Sequence, residues 1–163
     1  KSSDSELLRL SCNSYIGASI AVTAVRELWE ETGLKLQAPI TSVIPPSGWE
    51  KFFANGKGPD LSNLRFLFRA VTPPNRARRF DARFFFCDAS KIADDLDDFS
   101  NASTELQDLR WVDLANYSDL AVPTITSIVL KYLGKVLRDK KEIRGVPFYK
   151  VGSDGTNNIF LEL

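Results

Sequence analysis

Glu27, Glu30 and Glu31 stand at helical spacing, with Arg26 beside them and Gly33 just beyond, and no other residues of the chain are better suited to chemistry. On a helix, positions three and four apart are neighbours, so all three carboxylates fall on or near one face. Three like charges side by side are unfavourable without a cation. Arg26 is one neutraliser, able to pair bidentately with a carboxylate. A hard divalent ion is the other, because Mg²⁺ and Mn²⁺ prefer oxygen ligands and Mg²⁺ keeps waters and substrate phosphates in its shell. Held with open positions, such an ion neutralises a pyrophosphate and lowers the pKa of an attacking water, which is the chemistry of phosphoanhydride hydrolysis.

The carboxylates need a helix to hold them. Ser19 to Glu31 contains neither Gly nor Pro, and Ile20, Val22, Val25, Leu28 and Trp29 recur at roughly helical spacing, which predicts an amphipathic helix. Gly33 supplies the left-handed position that ends it. An acidic helix face is more often plain solvated surface than a site. The full pattern R-E-apolar-x-E-E-x-G-apolar is much narrower and arises by chance in a chain of this length on the order of once in 10⁵ sequences.

From Arg26 to Leu34 the chain resembles the C-terminal half of the Nudix box, G-x5-E-x7-R-E-U-x-E-E-x-G-U, where U is a bulky apolar residue. The N-terminal half departs from it: Ala18 stands where the outlying glutamate belongs and Cys12 where the glycine belongs. Some Nudix branches carry an insertion between the glycine-rich turn and the helix. With no strand candidate before Ile16 and no methionine at position 1, we expect that turn upstream of Lys1; the other explanation is loss of part of the site. The resemblance implies a hydrolase that cleaves a nucleoside diphosphate linked to another group, using Mg²⁺ or Mn²⁺. Glu27 and Glu31 would be the principal metal ligands, Glu30 a ligand or water-orienting carboxylate, and Arg26 the residue that orients the glutamates. A glutamate ahead of a W-V strand often faces the catalytic helix in this family as ligand or base, and Glu105 is the residue that matches. Its alternative is an exposed charge at a strand end.

Elsewhere, Lys1 to Leu10 predicts a short helix and Ser11 to Gly17 a loop. Leu34 to Ile44 gives one strand before Pro45-Pro46. Trp49, Phe52 and Phe53 precede a turn at Asn55 to Pro59 and are expected to pack under a loop, with a base-stacking lid as the alternative. Leu64 to Thr72 and Ala82 to Asp88 are the strongest strands, rich in aromatics. Between them, Asn75 to Arg83 is the most basic segment: a solvated hairpin, or a diphosphate clamp in which Arg79 and Arg83 bind substrate, since arginine's fork suits phosphate. The stretch T-P-P-x-R-x-R-R-F-D-x-R-F-F resembles one that recurs in a bacterial Nudix branch. Lys91 to Phe99 is an acidic turn or short helix, Glu105 to Asp113 a strand, Asp113 to Leu120 and Pro123 to Asp139 two helices, and the last two segments around Gly152 to Gly155 an extended pair.

Composition narrows the classes further. A chain of 163 residues with 44% apolar content supports one core, and we read a single domain over 1–163 with an α/β fold, a Nudix-like α/β/α sandwich with a mixed sheet. Net charge is zero, so a broad electrostatic grip on nucleic acid or on an anionic membrane is not indicated. No apolar stretch is long enough for a membrane span. Two cysteines, Cys12 and Cys87, offer neither a disulfide framework nor a zinc ribbon, which favours a reducing, cytoplasmic setting. There is no histidine, which removes Ser-His, Cys-His and His-ligated metal machinery and leaves carboxylates, a metal and water. The expected partner is a small nucleotide-type substrate, and Nudix relatives are often homodimers. Two other readings stay open: a Nudix-fold nucleotide-binding or regulatory domain without turnover, and an unrelated domain whose acidic helix is only surface.

Overall fold

The computed structural model describes residues 14–73, 76–117, 120–139, 145–151 and 158–162. The chain folds into two compact units, Lys1–Leu64 with Cys87–Arg110, and Arg65–Phe86 with Trp111–Leu163. Each has α/β content. The helix expected over Lys1 to Leu10, Cys12, and the turn at Gly152 to Gly155 lie outside the described residues.

In the first unit, helix α1 spans Ser14–Thr32 and is followed by β1, Gln37–Pro39. A 3₁₀ turn at Ala54–Gly56 leads into β2, Lys57–Pro59, which pairs antiparallel with β1. The helix begins earlier than the sequence suggested: the loop expected through Gly17 is already helical from Ser14. Gly17 weakens a helix by only about 1 kcal/mol, which packing readily offsets. The strand expected over Leu34 to Ile44 shrinks to three residues. Pro39 has no N–H to continue the ladder, and Val43 and Ile44 beyond it are exposed.

Val25, Leu36 and Phe52, all fully buried, form the core of this unit, with Leu28, Trp29, Trp49, Phe53 and Ile92 packed around them. Phe52 meets Trp29 and Trp49 edge-on at 5.3 Å each, a geometry that aligns ring edges with ring faces. Phe52 is therefore core, and Trp49 and Phe53 pack half-buried against it, as expected of aromatics under a loop. Their loop turns at Asn55 and Gly56, both at positive φ, so that Gly58 can lie against Ile40 and Phe53, where a Cβ would come within 3.0 Å of the Ile40 side chain.

Asp60, 7% exposed, closes the same unit. It accepts hydrogen bonds from the Ser62 N–H at 2.8 Å, the Ser62 hydroxyl at 2.6 Å and the Asn63 amide at 2.6 Å. Burial pushes its carboxyl up, but the bonds from Ser62 and Asn63 outweigh burial and hold it below the usual carboxylate range. A depressed folded pKa contributes stability above the unfolded value of about 3.9, and that contribution is lost as pH falls through the folded value. Asp60→Ala should thus cost about 2 kcal/mol near neutral pH, the scale of bonds to a charged acceptor. In urea unfolding followed against pH, the gap between wild type and variant should close in acid; a constant gap would contradict the assignment.

The second unit is a four-stranded sheet with one long helix. Strands β3 (Arg65–Val71) and β4 (Asp81–Phe86) form an antiparallel hairpin. Helix α2, Thr124–Asp139, then leads to β5 (Pro147–Val151), which lies parallel to β3, and β6 (Asn158–Glu162) returns antiparallel to β5. The order is β4-β3-β5-β6, a mixed sheet. The register between β3 and β4 slips between Phe66 and Phe68, so Leu67 is the extra residue of a bulge and three consecutive side chains are buried. Leu67, Phe68, Ala70 and Val129 form the core, and α2 covers it with Ile125, Ile128, Tyr132, Leu133 and Val136, the face that the sequence predicted.

Two expectations fail in 105–120. No strand forms over 105–113: Asp108 adopts a left-handed φ of 59° in the middle of the run, and Leu106, Trp111 and Val112 are exposed. Of the helix expected over 113–120, residues 113–116 make turns, with the Asp113 carboxylate accepting from the Ala115 N–H, Tyr117 is in a 3₁₀ turn, and 118 and 119 lie outside the described residues. No helix among the described residues is long and apolar enough to cross a membrane.

Candidate active site

The last two turns of α1 carry the acidic residues because the other side of the helix is used for packing. Val25, Leu28 and Trp29 turn into the core of the first unit. Arg26 and Glu27 are exposed as a result, with Glu30 and Glu31 only partly covered. The Arg26 guanidinium donates from Nε to Oε1 of Glu30 at 2.7 Å, an i,i+4 pair, and this hydrogen bond raises the arginine's pKa further. Of the two neutralisers, Arg26 has taken Glu30, which leaves Glu27 and Glu31.

Burial pushes the Glu31 carboxyl above its ordinary range, and the negative charges of Glu27 and Glu105 push it the same way. Glu31 thus feels the charge of the exposed Glu27 and, less strongly, of the exposed Glu105. The last is supplied by the 99–110 loop, not by the start of a strand. The loop is tied to α1 by the Ser103 N–H, which donates to the Glu30 carbonyl at 2.7 Å. Nearby, the Lys35 N–H donates to Asp94 at 2.8 Å. Neither Ser103 nor Asp94 is a sequence candidate, since a backbone contact on a small polar residue leaves no pattern to read.

Arg79 and Arg83 belong to the second unit. Arg79 Nε donates to the Thr72 carbonyl at 3.2 Å. Arg83 pairs with Asp81 at 3.3 Å, and Asp81 is also gripped by both arms of Arg69 at 2.9 and 2.7 Å. The hydrogen bond from Arg69 holds the Asp81 carboxyl below its usual range, against the effect of burial. Arg69 in turn lies 4.7 Å over the Phe148 ring. All of these contacts lie within the hairpin of β3 and β4 or on its neighbour β5.

A divalent cation suits the donor set in the first unit. All candidates are carboxylate oxygens, which match Mg²⁺ and Mn²⁺. Glu30 and Glu31 also lie in the final turn of α1, which has no basic residue, and there the helix dipole presents its negative end. The field at that end disfavours carboxylates and favours a cation. Among the described residues no group of three or more His, Cys, Asp or Glu side chains is gathered as a ready-made cage.

No protein-family model, curated protein or solved structure matches the chain. The Nudix likeness rests on the residues that carry it, Arg26 to Leu34 above all.

Proposed function

We propose that the chain is a Nudix-type pyrophosphohydrolase, which hydrolyses a phosphoanhydride bond in a nucleoside diphosphate linked to another moiety by water attack on phosphorus. The observation that supports this best is the acidic face of the last two turns of α1, where Arg26 engages Glu30 and the charges of Glu27 and Glu105 bear on a partly covered Glu31. Glu27 and Glu31 would hold Mg²⁺ or Mn²⁺, with Glu30 as a further ligand or water-orienting group and Glu105 as additional ligand or base. When bound, the ion supplies charge neutralisation of the diphosphate and acidification of water. In the reaction a water oxygen bonds to phosphorus, the bridging P–O bond breaks, and the water's proton passes to a carboxylate of the cluster. The resemblance also proposes Arg79 and Arg83 as substrate ligands.

Incubation with ADP-ribose, a dinucleoside polyphosphate or a nucleotide sugar, with Mg²⁺ or Mn²⁺ in ¹⁸O-water, tests the reading. We expect label in a phosphate product. The second reading, a nucleotide-binding domain without turnover, is favoured by Ala18 and Cys12 at the two departures from the box. Binding without product would select it.

Arg26 has its own test. Arg26→Gln removes the charge that engages Glu30 and should lower kcat/KM by about 10- to 100-fold, the scale for partners that orient metal ligands. Unchanged kcat/KM would reduce the Arg26–Glu30 pair to surface decoration.

A further inference from the structure

We propose that the outer face of α2, the side turned away from the core of the second unit, docks an amphipathic helix of another protein that carries an apolar row beside an acidic row. The inference is independent of the carboxylates of α1.

Gly134 is the centre of that face. Inside a helix glycine is less favourable than alanine, and a Cβ built on Gly134 would meet nothing within 4 Å, so no contact at that position calls for a glycine. Its surface neighbours, three and four positions away, are Leu130 and Leu137 on one side and Lys131 and Arg138 on the other. Two holes of the kind that receive a side chain from a facing helix therefore share Gly134. Leu130, Leu133, Gly134 and Leu137 frame an apolar one, and Lys131, Gly134, Lys135 and Arg138 a basic one. Leu137 is 49% exposed, and Leu130 is half-buried.

Lys131, Lys135 and Arg138 are exposed, and among the described residues none of them is in an ion pair. Arg138 suits the negative end of the helix, but Lys131 and Lys135 stand one turn apart as like charges, which costs the free helix stability. An acidic row laid alongside removes that cost. A second copy of α2 cannot supply it, because the only acidic residue of this helix is Asp139, its last. An anionic membrane would answer the lysines, yet a lipid surface gains nothing from a missing side chain, whereas a glycine lets another helix approach closely.

Two synthetic helical peptides, titrated with the full chain and read by fluorescence anisotropy, test the proposal. Both carry leucine at positions three and four apart; one has glutamate along the flanking row and the other lysine. The glutamate peptide should bind at least about 10-fold more tightly, and Lys131→Glu combined with Lys135→Glu should reverse the preference. Gly134→Leu changes no charge and fills the shared hole, so it should weaken the glutamate peptide by about 10-fold, while urea unfolding shows the variant at least as stable as wild type. Equal affinity for the two peptides, no binding of either, or unchanged affinity in Gly134→Leu would overturn the docking face. If Gly134→Leu does not fold, the charge reversal decides by the same criterion. Binding to mixed phosphatidylserine and phosphatidylcholine vesicles, undiminished in Gly134→Leu and without preference between the peptides, would overturn it in favour of a membrane.

Discussion

Glu31→Gln is expected to reduce metal-dependent hydrolysis by about 10³-fold, within the range spanned by losing a positioned acid–base or ligand group. The amide keeps the size of the side chain and its place on the last turn of α1, and removes only the charge. The same variant should be more stable than wild type in the absence of divalent metal. Burial and the charges of Glu27 and Glu105 raise the Glu31 pKa. For a raised carboxyl pKa the sign runs against the charged form, so stability falls as pH rises through the folded value, and glutamine escapes that loss. Thermal unfolding with and without Mg²⁺ joins the two effects. Mg²⁺ should raise the Tm of wild type and leave that of Glu31→Gln nearly unmoved, since ligand stabilisation requires binding to the folded state. A variant with full activity, or one stabilised by Mg²⁺ as much as wild type, would leave α1 with an acidic surface and no site.

What the sequence makes legible here is what local periodicity encodes. The carboxylate face of α1 follows from the positions of Val25, Leu28 and Trp29 opposite it, and the covering face of α2 from Ile125 to Val136. The hairpin of β3 and β4 announces itself by its aromatics, although the bulge at Leu67 does not, because a one-residue slip leaves the composition unchanged. The 105–113 segment misleads for a different reason. Its W-V pair has the look of a strand, but Asp108 breaks the extended run and Trp111 is left exposed. The stretch before that segment is nevertheless fastened to the end of α1 by main-chain atoms of Asn101 to Ser103. Backbone contacts between segments so far apart in the chain carry no residue signature, and only the folded structure displays them.

The second large effect concerns stability. Phe52→Ala should destabilise the first unit by about 3–5 kcal/mol, the scale for removing a buried aromatic and leaving a cavity. Phe52 is fully buried among Trp29, Trp49 and Phe53, with ring centroids at 5.3, 5.3 and 5.9 Å. Its carbonyl also accepts a hydrogen bond from the Gln37 side chain, which links the aromatic loop to β1. Trp29 is the point at which this matters for function, because Glu30 follows it directly and Leu28, just before it, packs on the same core. Losing Phe52 loosens the side of α1 that fixes the helix's rotation, and the acidic face turns with it. Native-state hydrogen exchange distinguishes this from a uniform loss. Amides of α1 from Val25 to Thr32 should lose protection by about 10²- to 10³-fold, as expected for that free energy, whereas the sheet and α2 of the second unit should keep more of theirs. Equal loss in both units would mean that they unfold as one cooperative body, and the aromatic cluster would then stabilise the whole chain instead of the helix that carries the carboxylates.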